Sequence, residues 1–178
     1  MSYPVVIREL PSQNEVDYRF VAASPAAVNN GTIMFPSETI IGGTRDVYMP
    51  AVSTKNPNNM WIATGVEAMY ETGKHLDDYT NVTSQNTIPP KAMYRIERIV
   101  EGCIYAISSD GFIFNSTQSS DLVVGGKAWL SPGSQQTITL SAPSATVSSY
   151  TQIGTIIDVY TKGGKTFASI MFHIPASF

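Results

Sequence analysis

The chain has 178 residues, a formal net charge of −3, and 43% apolar residues against only 14% charged ones. A single domain of this length buries roughly 70% of its unfolded surface, so it needs no disulfide or metal to hold a core. The 11 basic residues form no cluster, and Glu97 breaks the densest stretch, Lys91–Arg98, which excludes the phosphate-neutralising stripe that nucleic-acid binding needs.

In chain order, residues 1–50 predict an extended N-terminal arm with short edge strands. The run "YPVVIRELPSQNEVDYRFVAASPAAVNNGTIMFP" is interrupted by Pro4, Pro11, Pro25 and Pro36. Proline lacks a ladder donor, so such runs fit sheet edges or extended chain. Charges come too early for the apolar core of a secretion signal, and no apolar run reaches membrane-spanning length, so no membrane partner is expected. "SPAAVNNG" fits one helical turn stopped at Asn29-Asn30-Gly31, and Gly42-Gly43 predicts a turn.

Residues 51–178 predict the β domain. The stretch from Trp61 alternates as Ile62, Thr64, Val66, Ala68, Tyr70. Gly65 and the β-branched neighbours weigh against a helix, so a strand through Tyr70 is expected. Further strands are predicted at Met93–Val100, Cys103–Ser108, Phe112–Asn115, Lys127–Leu130, Thr137–Leu140, Ile153–Tyr160 and Thr166–Ile174. Turn signals separate them. Lys162-Gly163-Gly164-Lys165 is a hairpin signal, because primed turns need positive φ. "SSDGF" at Ser108–Phe112 predicts a second hairpin. The fold class expected is all-β, a compact β-sandwich or small barrel carrying the N-terminal arm.

Little in the chain selects chemistry. "GGKT" at Gly163–Thr166 resembles the end of a phosphate-binding loop, but Val159 stands where the first glycine belongs and an alternating strand follows in place of a helix. The lone Cys103 lies in an apolar run and reads as a small buried hydrophobe. His75, Asp77 and Asp78 are the nearest approach to a metal-ligating group, and a solvated loop explains them as well. His173 reads as an outward strand residue. Glu67, Glu71, Asp77, Asp78, Asp110, Asp121 and Asp158 offer carboxylates with no spacing that singles out a catalytic pair. Neither a catalytic residue nor a cofactor is predicted.

The aromatics carry more information. Phe112, Phe114, Phe167 and Phe172 lie within predicted strands and fit a β core. Tyr3, Tyr18, Phe20, Phe35 and Tyr48 lie in the proline-punctuated arm, where few sequence neighbours can bury them. They are the candidate partner-contact residues, packing on this domain or on another subunit.

Across residues 60–175, "MWIATGVEAMYETGKHLDDYTN", "YRIERIVEGCIYAIS" and "IGTIIDVYTKGGKTFASIMFHI" give the chain its rhythm. The Thr64-Gly65-Val66-Glu67 phrase, the Tyr79–Asn81 step and the Glu101-Gly102 step into a β run belong to it. In these phrases the chain resembles the decoration, or cement, proteins of tailed-bacteriophage heads. The resemblance implies a non-enzymatic virion structural protein, made in the host cytoplasm and placed on the capsid surface. Such a protein stabilises the shell by binding the major capsid protein and itself, as a homo-oligomer for which a trimer is the expectation. The alternative is a β-sandwich carbohydrate- or receptor-binding module of a phage fibre or surface protein, which would show Trp61 and Trp129 on one flat face. A small hydrolase would instead need two carboxylates facing one pocket.

Overall fold

The longest ladder grows from the Lys162–Lys165 turn, where Gly163 and Gly164 take φ of 59° and 76°. Two successive positive-φ residues match the right-handed twist of the flanking strands. In the computed structural model this turn joins β12 (Thr151–Lys162) to β13 (Lys165–Phe172), paired from Lys162↔Lys165 to Gly154↔Phe172. The structure describes residues 4–12, 15–23, 29–40, 46–48, 55–68, 92–114, 122–131, 137–140 and 150–178.

Two sheets form an all-β sandwich. The first has seven strands and adds β1 (Val6–Leu10), β8 (Ile104–Ser108), β9 (Ile113–Phe114), β10 (Lys127–Leu130) and β11 (Thr139–Leu140), in the order β1-β8-β13-β12-β10-β11-β9. The second contains β2 (Tyr18–Ala23), β3 (Ile33–Met34), β4 (Pro36–Ile40), β5 (Asp46–Tyr48), β6 (Trp61–Ala68) and β7 (Ala92–Arg98), in the order β3-β6-β7-β2-β5-β4. A tight turn at Val100–Cys103, with Gly102 at φ 78°, carries the chain from the second sheet into the first.

Alternation decides what the sandwich buries. Tyr105 and Ile107 of β8, Ala168, Ile170 and Phe172 of β13, and Ile153 and Ile156 of β12 point inward. They meet Ile33, Phe35, Met60 and Ile62 from the second sheet. Full burial of each large apolar side chain stabilises the fold by roughly 1.5–3 kcal/mol. Residues on the opposite face of β6 are buried too, with Trp61 at 1% exposure and its Nε1–H donating to Asn59 Oδ1 at 2.7 Å. Phe112 and Phe172 lie in the core and Phe114 packs against it. Phe167 is also buried, but on the outer face, stacked on Tyr160 with ring centroids 5.4 Å apart.

Two expectations need correction. The described residues among 1–50 are built into the two sheets instead of projecting as an extended arm. They supply β1 to one sheet and β2–β5 to the other, with β2 held between β7 and β5. Ile33, Met34 and Phe35 have no exposed surface. The partners of these strands lie far along the chain, as in Val6↔Ile107 and Tyr18↔Glu97. The second correction concerns Ser108–Phe112, which is no hairpin. Ser109–Gly111 forms a 3-10 turn, β8 pairs with β1 and β13, and β9 runs parallel to β11. Gly111 is needed there for close approach rather than for positive φ. A Cβ on it would sit 2.8 Å from Ile107 Cγ2 and 3.3 Å from Pro4 Cβ. The predicted turn at Gly42-Gly43 lies outside the described residues.

Gly154 packs more tightly still. A Cβ there would meet Ile170 Cγ2 at 2.5 Å and Met171 O at 3.0 Å, and the second of these is backbone that cannot step aside. Overpacking of this kind costs about 1–3 kcal/mol. Gly154→Ala is therefore expected to lower the urea midpoint by a corresponding amount, measured by equilibrium denaturation against Gly65→Ala, where a Cβ meets nothing within 4 Å and φ is not positive.

Candidate functional site

Chemistry-bearing side chains converge where β1 crosses the second sheet. Arg8 pairs across the ladder with Tyr105, so it shares the inward face of the first sheet. Glu97 pairs with Ile62, so it shares the inward face of the second. Glu97 is only 4% exposed. The Arg8 guanidinium donates to Glu97 Oε1 in a close ion pair that spans the two sheets. Tyr105 OH donates to the same oxygen at 3.4 Å. Arg95 Nε lies 3.6 Å from Glu97 Oε2, and its guanidinium sits 4.0 Å above the Tyr18 ring. Burial, and next the Glu97 carboxylate, push the Tyr105 hydroxyl well above the usual phenol range.

This relay, Tyr105–Glu97–Arg95–Tyr18 with Arg8 beside it, runs from a fully buried ring to one that is 50% exposed. Its chemistry is that of a clasp. A buried carboxylate must be paired, and among the described residues its partners come from β1, β7 and β8. The clasp fixes β1 at the rim of the seven-stranded sheet. There Val5 is 37% and Leu10 53% exposed. A register shift between Arg8 and Leu10 sets Glu9 apart as a bulge residue. Its carboxylate accepts from Ser169 Oγ at 2.6 Å and Tyr160 OH at 3.4 Å. The resulting surface is a rigid edge strand with apolar ends, and the exposed face of Tyr18 is tied to it through Arg95 and Glu97.

The candidate contact residues separate accordingly. Tyr18 is at the surface, under Arg95. Phe35 is wholly buried and meets the Phe178 ring edge-on at 5.3 Å, so it serves the core. Phe20 and Tyr48 contribute backbone to β2 and β5, and their side chains fall outside the described set. Tyr3 lies outside the described residues, as do His75, Asp77, Asp78, Glu71 and Asp121. Val5 and Leu10 were not singled out from sequence. The signal was present in "VVIREL", an apolar run too short to bury both faces. Asp110 takes the Ser108 hydroxyl and Lys165 Nζ, the latter at 2.9 Å. His173 Nδ1 lies 3.2 Å from Glu101 Oε1, and its Nε2 lies 3.4 Å from Thr155 Oγ1. That order of hydroxyl, imidazole and carboxylate is one used for nucleophilic catalysis. Thr155, however, sits mid-strand between Lys127 and Met171, so its backbone belongs to the ladders and supplies no oxyanion donors.

No protein-family model, curated protein or solved structure matches the chain.

Two outcomes test the clasp and the interior. Removing one partner of a buried pair costs about 3–5 kcal/mol, whereas replacing both with apolar groups recovers much of it. Glu97→Leu alone should therefore destabilise strongly, and the Arg8→Met/Glu97→Leu double variant should regain a large part of the loss in urea melts. Burial pushes the Cys103 thiol up to about 11. The folded chain should consequently resist a thiol-specific disulfide reagent at neutral pH and react at once in denaturant, followed by absorbance.

Proposed function

We propose that this protein is a non-enzymatic virion structural protein that decorates and stabilises a tailed-phage capsid by binding the major capsid protein. The single observation behind this reading is the edge strand β1. It ends the seven-stranded sheet, so among the described residues nothing pairs with its outer side. Its apolar ends are exposed, and the Arg8–Glu97 clasp holds it still. A preorganised sheet edge takes an extended segment of a partner by strand addition. Main-chain hydrogen bonds supply affinity, and the pockets for alternate side chains supply specificity. On an icosahedral shell the same weak contact recurs at every equivalent position, which multiplies avidity without a strong single site. A homo-oligomer, with a trimer as the specific proposal, belongs to the same reading.

The alternative, a carbohydrate- or receptor-binding sandwich, has lost half of its aromatic platform. Trp61 is buried, and Trp129 remains half-buried on the outer face of β10.

The reading is tested by measuring mass in solution and then pelleting the protein with expanded, empty tailed-phage heads. Stoichiometric co-sedimentation is expected, and Leu10→Asp should weaken it at least about tenfold, the loss expected when a charge enters an apolar contact. The Leu10→Asp chain should keep the wild-type urea midpoint. A monomer that ignores shells and is retained on a glycan array would replace this reading with the alternative.

A further inference from the structure

Past the end of β13 the chain stops pairing and crosses open surface. His173 N–H still donates to Ile153 O at 2.8 Å. Ile174 N–H turns away from the sheet and donates to Glu101 Oε2 at 2.6 Å. Pro175 has no donor. Ala176 and Ser177 are exposed. The segment is then anchored again by Phe178, whose ring meets the buried Phe35 edge-on at 5.3 Å. Ile174 packs against the main core. Six residues are therefore held at two places, with exposed chain between them.

The first anchor depends on one carboxylate. Glu101 receives the imidazole of His173 on one oxygen and the backbone of Ile174 on the other. We propose that His173–Phe178 is an acid-releasable strap, latched by Glu101 and seated by Phe178, whose opening uncovers Phe35 and the seat of Ile174. The latch stands in the turn between β7 and β8, so the same turn that joins the two sheets also holds the strap.

The sign follows from the contacts. The Ile174 N–H and then His173 favour the charged carboxylate and hold Glu101 below its ordinary value of 4.5. A carboxylate depressed in the folded state supports the fold above its unfolded value, and that support is lost as pH falls through the folded value. The latch is accordingly closed at neutral pH and opens in acid. The neighbouring groups agree with this. The imidazole of His173 faces Glu101 from the strap, and the buried Cys103 thiol lies on the β8 side. From β12 the Thr155 hydroxyl faces the imidazole, with Lys127 of β10 paired across from Thr155. Arg98, at the end of β7, is turned to Asn58 O and Asp17.

The test is amide hydrogen exchange on the 178-residue chain between pH 3 and pH 7, with Ile107 in central β8 as the monitor of global opening. Protection of Ile174 is expected to fall at least tenfold as pH drops below the ordinary carboxylate range, while Ile107 stays protected. The contact between the Phe178 and Phe35 rings should disappear over the same range by NMR, while the Tyr105–Phe172 contact persists. In Glu101→Ala, which leaves no side-chain acceptor, the Ile174 amide should be poorly protected at neutral pH, with no acid step. His173→Gln retains the backbone contact and loses the imidazole, so its release should move to higher pH. An Ile174 amide that follows Ile107 at every pH, or stays equally protected in Glu101→Ala, overturns the proposal.

Discussion

A carboxylate held between two sheets at 4% exposure sets terms that the surrounding strands must meet. Desolvating Glu97 is unfavourable by several kcal/mol unless a cation reaches it in good geometry. That cation comes from Arg8, across the sandwich and 89 positions away in sequence. A one-residue slip of β1 against β8 would aim Arg8 at the outer face and leave Glu97 unpaired inside. The ion pair thus adds little net stability over an apolar pair of the same size, but it singles out one register for a strand of five residues. Short edge strands have few side chains with which to specify their own alignment, so a buried charge is an effective way to do it.

The shape of the edge follows. With Arg8 pinned inward, the chain reaches Leu10 through a register shift, and Glu9 is released to the outer face. There it meets Ser169 and Tyr160, so the bulge is itself held in place. Bulges usually protect sheet edges by twisting them away from partners. Here the bulge lies toward one end of β1, and Val5 and Leu10 flank the strand as exposed apolar groups. The edge is rigid without being closed off, which is what strand addition requires.

The sequence exposed some of this and concealed the rest for physical reasons. β12 and β13 were readable because their pairing is local and their alternation continues across a two-glycine turn with positive φ, and β10 because its own apolar alternation stands out between turn signals. β1 to β5 were misread as an arm because each is short, several are flanked by proline, and every long-range partner is invisible to a reading of neighbours. Asp110-Gly111 misled because aspartate before glycine serves both turns and tight packing, and only the coordinates show Ile107 pressed against the glycine. Glu97 looked like the charge that interrupts a basic stretch. It stands between Ile96 and Ile99, both buried, one on the opposite face by strand period and one on the same, so alternation alone did not say whether it points in or out. Tyr18 was found by its aromatic character, whereas Val5 and Leu10 gained meaning only once the strand order was known.

The scarcity of charge ties these features together. With 25 formally charged side chains in 178 residues, and several of them engaged within the fold, little is left for long-range attraction. Arg8 and Glu97 are consumed between the sheets, Glu9 by its bulge, Asp110 by Lys165, and Glu101 by the strap. Association of such a surface proceeds without electrostatic steering, at on-rates nearer about 10⁵–10⁶ M⁻¹s⁻¹ than the steered limit. In the proposed role, affinity would come from short-range terms, from apolar side chains leaving water and from backbone groups finding partners. Both are on offer at β1, where the end of the sheet and the exposed valine and leucine coincide. In the proposed decoration role this has a further consequence. An interface built on such contacts resists screening by salt, since its attraction does not rest on exposed charge pairs. Its strength is governed by how many copies a shell can engage at once.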